Sequence, residues 1–489
     1  MAIRNIVIVG GGLAGWFSAA RLCHAMRGRK IQVRVVHAAP PGSEADPLDV
    51  LCGSTLPSIA LPFAELGLDE RDFMRATGAT FKLATQYRGF GVAARDWMLP
   101  FGEIGARLEA VGFHQFISRL MLTGRDTDID QFSVPALAAR LGRFAHPSQD
   151  ERSVLSTYEY AYHLDPQACT RMLRGFALKL GAVAVDAELA EVACTEDGNR
   201  IASLELTDGT KVSGDFYIDC TGIRSALLGQ ALRVPFDDWS QWLPCDRAVQ
   251  LRVPVSAPAP PFTSITALEN GWWSRMPVRG AVDHTLAFDA RTLEMEIARD
   301  MVAAQAGAGA KPRELTFTNG RRRELWRGNC VAIGAAAGYL EPLVATGLRL
   351  IDDGISRLVA LFPDDGSMEL MAREYNRTLS ASYDGARDFA ILHYLPGPRI
   401  AALPASLAQR IELFRYRGRV VLHDDEIFEE ADWACTFIGL GERPGHYAIL
   451  AAQMSEDEVL AQFAKIARLM QSAAQKLPAH QAYLDRYLA

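Results

Sequence analysis

Glycines at positions 10, 12 and 15, in the run Gly10-Gly11-Gly12-Leu13-Ala14-Gly15, form the G-x-G-x-x-G spacing that can hold a diphosphate. Each position has a physical task. Gly10 permits a tight turn, Gly12 lets the main chain approach the anion, and Gly15 lets the following helix pack close to the preceding strand. The N–H groups at the helix start, from Leu13 and Ala14, then face the negative charge. Two later stretches offer further contacts. DFYIDCTG (215–222) and NCVAIGAAAGYLEP (329–342) each read as a buried strand running into small residues, with Gly334 and Gly338 in the second. A carboxylate at the end of the second strand normally holds the adenosine ribose. Here that position is His37, which can hydrogen-bond a hydroxyl; Glu44 and Asp46 are the nearby carboxylates that could serve instead.

These residues need a frame. IRNIVIV (3–9) is a continuous β-branched run, as expected of a buried parallel strand. Helical periodicity follows over 16–27 and a second strand over 31–37, which completes a βαβ unit. A helix is expected over 160–181, strands over 187–192, 201–207 and 211–213 with a hairpin turn at Asp208-Gly209, and a buried strand at 216–220. Residues 248–292 alternate polar and apolar, as an antiparallel sheet requires. A helix covers 345–361, and 366–489 is mostly helical. The nucleotide elements near 10, 219 and 334 are far apart in sequence, which implies a dinucleotide-binding domain carrying a large insertion. The second and third elements favour FAD over NAD, because they can reach the ribityl chain and ring. The expected fold class is α/β: a discontinuous Rossmann-type FAD-binding core (1–110, 155–235 and 315–362), an inserted β-sheet substrate region (236–314), and mainly helical parts (111–154 and 363–489).

Composition narrows the class further. The 489 residues carry a formal net charge of -7, with 49% hydrophobic and 22% charged residues. That is ordinary globular composition, with no basic block to suggest nucleic acid and no apolar run of membrane-spanning length. The eight cysteines form no CxxC pair, so they read as reduced thiols and not as a metal site. The chain opens directly into a strand, so a cytoplasmic location is expected.

Taken together, the motifs resemble the flavin-dependent tryptophan halogenases along nearly the whole chain. They include GGGLAGW (10–16), TGATFK (77–82), AYHLD (161–165), IDCTG (218–222), WSQWLPCDRAV (239–249), GWWSRMP (271–277), EPLVATG (341–347), RDFAILHY (387–394) and DWACTFIGLGERP (432–444). The resemblance implies a flavin-monooxygenase-type core and FAD reduced by a separate flavin reductase acting in trans. It also implies chloride or bromide as co-substrate, a small tryptophan- or indole-like aromatic substrate, and a possible homodimer. Lys82 matches the lysine that presents the halogen, by a hydrogen bond to hypohalous acid or as a haloamine. Thr346 and Gly347 match the backbone donors that hold halide beside the flavin; Thr346 could equally be a plain helix cap. Trp272 matches the first tryptophan of a WxWxIP motif, while Ser274 replaces the second and Trp273 adjoins it. Phe101 matches an aromatic wall for the substrate, and Leu99 replaces a histidine. Val344 stands where these enzymes carry a glutamate that takes the ring proton. Trp433 and Tyr447 are candidate walls from the helical part, with core packing the alternative for each.

Three functions remain open on this reading. One is a halogenase of an electron-rich aromatic. The second is a flavin monooxygenase or oxidase that does not halogenate. The third is a degenerate FAD- or partner-binding protein.

Overall fold

The computed structural model describes residues 3–37, 46–91, 96–108, 111–125, 127–306, 310–363, 368–395 and 402–489. Its principal sheet has eight strands, five of them parallel neighbours in the order Cys330–Ala332, Phe216–Asp219, Asn5–Val9, Gln32–His37 and Val183–Cys194. The central strand Asn5–Val9 is apolar and buried on both faces, which is why its sequence is continuous and not alternating. Register places Val9 opposite Asp219, and Asp219 opposite Ala332. The chain therefore leaves three adjacent strands at one edge, at residues 10, 220 and 333. Ligands of open α/β sheets bind beyond that carboxyl edge.

A second, seven-stranded sheet is built mainly from Arg247–Pro254, Phe262–Leu268, Gly271–Val278 and Ala281–Phe288. Ala84–Arg88 and Trp97–Pro100 also pair into it, Ala84–Arg88 running parallel to Phe262–Leu268. These two strands fall within residues 1–110 of the sequence and pair into the second sheet. The helix expected from 160 begins later, as Pro166–Lys179, because Pro166 takes the first helical position and Asp165 caps Ala168 N–H; Ala161–His163 before it is a strand.

The helical part comprises chiefly Met368–Leu392, Ala405–Arg417, Glu430–Leu440, Glu456–Lys476 and His480–Leu488, with Phe113–Leu122 and Val134–Arg140 packed against it. Phe113 stacks on Phe463 across this contact at 4.5 Å. One continuous apolar core joins both sheets and the helices.

The C-terminal helix is tied to the strand Thr80–Lys82. Phe81 stacks on Phe144 at 4.0 Å and meets Tyr160, Tyr483 and Tyr487 edge-on. Beneath these rings Glu70 accepts hydrogen bonds from Tyr160 (2.7 Å), Tyr162 (2.6 Å), Tyr487 and His146 Nε2 (3.1 Å). Burial alone would raise the Glu70 pKa, but these four donors override it and lower it to about 2. The depressed carboxyl stabilises the fold fully above its ordinary pKa of 4.5, and that contribution is lost as pH falls toward 2. Glu70→Ala is expected to lower unfolding free energy at pH 7 by about 2 kcal/mol. The gap from wild type, read by denaturant titration, should narrow below pH 4.

Candidate active site

The glycine turn is as tight as its sequence suggests. Gly10 has a φ of +125°, and a Cβ there would lie 2.0 Å from the carbonyl oxygen of Cys220. A Cβ on Gly15 would lie 1.8 Å from Gly10 O. Two strands and the first helix, Leu13–Ala25, therefore meet backbone to backbone. His37 closes one side, its ring 2.7 Å from where a Gly11 Cβ would sit. Gly334, at φ +70°, packs on Ala14 with only 2.7 Å between the two Cβ positions. The turn at 10–15 and the segment leading to residue 347 thus lie together.

The helix N-terminus already holds an anion. Leu13 N–H donates to Asp49 Oδ1 at 2.7 Å, and a Cβ on Gly12 would meet Asp49 Oδ2 at 2.4 Å. Asp46 approaches Gly222 in the same way, with 2.2 Å to a notional Cβ. Residues 46–52, with the short helix Leu48–Leu51, therefore lie between the glycine turn and Gly347, whose notional Cβ is 2.9 Å from Cys52 Cβ. Burial and then repulsion from Asp49 push the Asp46 carboxyl up to about 7; burial raises Asp49 too. The donors at this turn fit a diphosphate, with the Asp49 carboxylate standing in for one of its oxygens. Glu44, the other carboxylate considered for the ribose, falls outside the described residues.

Lys82 is fully buried on the short strand Thr80–Lys82, paired antiparallel to Ala161–His163. Its Nζ donates to Thr55 O at 3.1 Å and lies 4.8 Å from the centre of the Phe101 ring. Burial lowers its pKa to about 7. Leu99 and Val344 are buried apolar residues. Around the following turn, Ala345 takes the left-handed conformation (φ +59°). Thr346 begins the helix Gly347–Ala360 and makes no side-chain cap bond, so its plain capping role is not realised.

Trp272 and Trp273 separate. Trp272 is buried, and its Nε1–H donates to Glu341 at 3.2 Å. Trp273, on the opposite face of Gly271–Val278, packs with Leu286, Phe288 and Ala298, away from Lys82. Trp433 lies in the helical part. It is enclosed in the helical core, edge-on to Phe389 and under the Arg410 guanidinium, so packing explains it. Gly338 pairs with Arg321 in a strand ladder, and a Cβ there would lie 2.7 Å from Arg321 Cβ. Tyr447 is partly buried beside Arg119, which lies 5.8 Å from its ring centre.

Sequence reasoning gave no role to Glu341. It is fully buried and accepts from Trp272 and from Tyr394 O–H (2.6 Å), while burial pushes it up to about 7. A carboxylate three residues before Val344 was the available signal. Behind Trp272 lies a cavity of about 660 Å³ lined by Phe90, Trp242, His393 and Tyr394 among others. Lys82 and Phe101 do not line it. On the other side of Trp272 a cavity of only about 20 Å³ is lined by Ser54, Thr263, Ser274, Leu343 and Ala345.

The family model described as tryptophan halogenase matches residues 5–456. The chain belongs to the tryptophan halogenase family. It is 31% identical over 468 residues to the tryptophan 6-halogenase SttH of Streptomyces toxytricini, covering 87% of this chain and 86% of that one. Among solved structures it resembles BrvH, a flavin-dependent halogenase from Brevundimonas sp. BAL3, with a TM-score of 0.91, 32% identity and 99% of each chain covered. Xcc4156, a flavin-dependent halogenase from Xanthomonas campestris, matches with a TM-score of 0.91, 33% identity and coverage of 100% of this chain and 99% of that one. As a tryptophan halogenase family member the protein is an FAD-dependent oxidoreductase. Flavin-dependent halogenases of this family use FAD reduced by a separate flavin reductase and take a halide as co-substrate. None of the described helices is long and apolar enough to cross a membrane.

The carboxylates at the phosphate end set a measurable property of this halogenase-family site. Wild-type affinity for FAD should rise as pH falls through about 7, because protonated Asp46 no longer repels a diphosphate. Asp49→Asn should tighten FAD binding by about tenfold at pH 8. Flavin-fluorescence titration reads both effects.

Proposed function

We propose that this protein halogenates an electron-rich, indole-like aromatic, with Lys82 carrying the halogen to the ring. The observation that carries the reading is the buried Lys82 amine. It has one carbonyl partner, an aromatic face beside it, and a pKa lowered to about 7. A desolvated amine of that kind is neutral for much of the time at neutral pH, and is then nucleophilic.

On this reading Gly10, Gly12, Leu13, Ala14 and Gly15 take the FAD diphosphate once residues 46–52 draw aside. His37 meets the ribose, Gly334 lies along the flavin, and the N–H groups of Thr346 and Gly347 hold the halide. Bound reduced FAD supplies, with oxygen, the oxidation of halide to hypohalous acid. Lys82 nitrogen then attacks the halogen: an N–X bond forms, the O–X bond breaks, and hydroxide leaves as water with a proton from nitrogen. The aromatic π pair next takes the halogen, the N–X pair returns to nitrogen, which takes up a proton from solvent, and the ring gives its own proton to a base. Phe101 forms one wall of the substrate site, and the helical residues 363–489 build the rest. Trp272, fixed by Glu341, stands between the large cavity and the 342–345 turn and keeps substrate from the flavin.

Val344 favours a second reading, a flavin monooxygenase or oxidase without halogenation, because position 344 itself carries no carboxylate and Glu341 is engaged by Trp272 and Tyr394. One experiment separates the two. The protein is supplied with flavin reductase, FAD, NADH and bromide and a panel of indoles, and products are read by mass spectrometry. Halogenation predicts bromide-dependent brominated product, lost in Lys82→Ala while FAD affinity is unchanged. An oxygenated product formed without halide supports the second reading. Halogen transfer should speed up as pH rises through about 7, where Lys82 loses its proton. Gly12→Val should abolish FAD binding, and unchanged affinity would refute the placement of the diphosphate.

A further inference from the structure

Four buried side chains form one unbroken hydrogen-bonded file beside Lys82. Ser54 Oγ lies 2.9 Å from Thr263 Oγ1, Thr263 Oγ1 lies 2.9 Å from His163 Nε2, and His163 Nδ1 lies 3.2 Å from Thr80 Oγ1. Thr80 Oγ1 lies 3.1 Å from the carbonyl oxygen of Pro277. The residues come from four separate parts of the chain, yet none is more than 8% exposed.

The last contact fixes the direction of all the others. A carbonyl only accepts, and a hydroxyl has one proton. Thr80 therefore donates to Pro277 O and accepts from His163 Nδ1–H. His163 Nε2 is then bare and accepts from Thr263, and Thr263 accepts from Ser54. The reverse order would set two oxygen lone pairs face to face at Thr80 and Pro277. Ser54 spends its only proton inward, so its free lone pair is what it presents to the 20 Å³ cavity shared with Leu343 and Ala345. That volume is one water site, and Thr85, Gln250, Ser274 and Thr285 supply polar walls. Ser54 is held in place: Leu164 N–H donates to Gly53 O at 2.8 Å, and Thr55 N–H donates to Tyr162 O at 3.0 Å.

We infer that Ser54, Thr263 and His163 form a proton relay that takes the ring proton displaced in halogenation, entering by way of the cavity water, and holds it on His163 Nε2. The inference rests on the reading of Lys82 given under Proposed function. It stands in for the carboxylate missing at Val344: Leu343 and Ala345, on either side of Val344, line the cavity onto which the file opens, and the one carboxylate in that lining, Asp283, is held by Arg252. The step balances. The ring C–H bond breaks and its electron pair restores aromaticity. The proton passes through water to Ser54 oxygen, Ser54's own proton moves to Thr263, and Thr263's moves to Nε2. The haloamine nitrogen takes one proton from solvent as it gives up halogen, so Lys82 returns to a neutral amine; imidazole becomes imidazolium, and no oxidant is consumed. Burial first, and then Lys82 on the facing strand and His480 at the start of the C-terminal helix, hold the His163 pKa well below its ordinary value, so it takes a proton only from a strong acid such as the halogenated ring cation. Lys82 is neutral while it carries or has just released halogen, so the nearer repulsion is absent when the relay loads.

The test uses the full chain with ¹⁵N-labelled histidine, and separately its single-turnover halogenation rate. The His163 resonances, assigned through their change in Thr263→Val, should show a protonated Nδ1 and a bare Nε2. Lys82→Met should raise the pH at which that ring protonates. A protonated Nε2 in the wild type points the file outward and overturns the relay. In kinetics, Thr263→Val and Ser54→Ala should each slow halogenation by about ten- to a hundredfold with FAD affinity unchanged, and Thr263→Ser should restore the rate. Wild-type rates in both Thr263→Val and Ser54→Ala would also overturn it. A wild-type protein that makes no halogenated product defeats the halogenase reading instead, and the nitrogen resonances still decide the direction of the file.

Discussion

The first helix begins with N–H groups that no carbonyl of its own can satisfy, at the edge where three parallel strands end. Everything else in the site is arranged around that unsatisfied positive end. The glycines let Val9, Cys220 and the helix meet without side chains between them, and Gly334 brings the segment leading to residue 347 against the same helix. The protein's own answer to the exposed N–H of Leu13 is the carboxylate of Asp49. The same geometry that suits a diphosphate also suits an internal carboxylate, and on the proposed placement of FAD the two would compete for one place. Residues 46–52, which carry that anion, lie beside the notional Cβ positions of Gly12, Gly222 and Gly347. From Gly53 onward the chain is tied down by Leu164 and Tyr162.

Burial governs the chemistry of the rest. Lys82 and Glu341 both sit with pKa values near 7, and both are fully enclosed. Such groups change charge at small cost near neutral pH, which is what proton and halogen transfer require. Their settings differ in a useful way. Glu341 holds Trp272 in place through a hydrogen bond, whereas Lys82 spends one N–H on Thr55 O and lies over the Phe101 face.

The sequence was most legible where spacing along one stretch carries the meaning. The glycine turn, the buried central strand and the insertion between distant strands all follow from short local patterns. The family emerged from the order of many short motifs, and Lys82 with them. Face assignment was harder. Trp272 and Trp273 are neighbours in sequence, but alternation along a strand sends one to the site and the other to the cluster under Met295–Ala303. Trp433 and Gly338 could not be assigned from sequence, because an aromatic in a helix, or a glycine near a turn, looks the same whether it packs or binds. The Ser54–Thr263–His163 file was invisible, since its members lie 100 and 209 residues apart and nothing local marks them. The pairing of Ala84–Arg88 with Phe262–Leu268 was hidden for the same reason: a parallel pairing 178 residues apart has no local signature.

Hydrogen–deuterium exchange with and without FAD tests the central claim most directly, because it reads the helix start and the segment over it in one experiment. If FAD takes the place of the Asp49 carboxylate, peptides covering 10–16 should exchange more slowly on binding. Those covering 46–52 should exchange faster, as the segment is pushed off the glycine turn. FAD that binds while both peptides exchange at their original rates would mean that the diphosphate sits elsewhere, and would contradict this account.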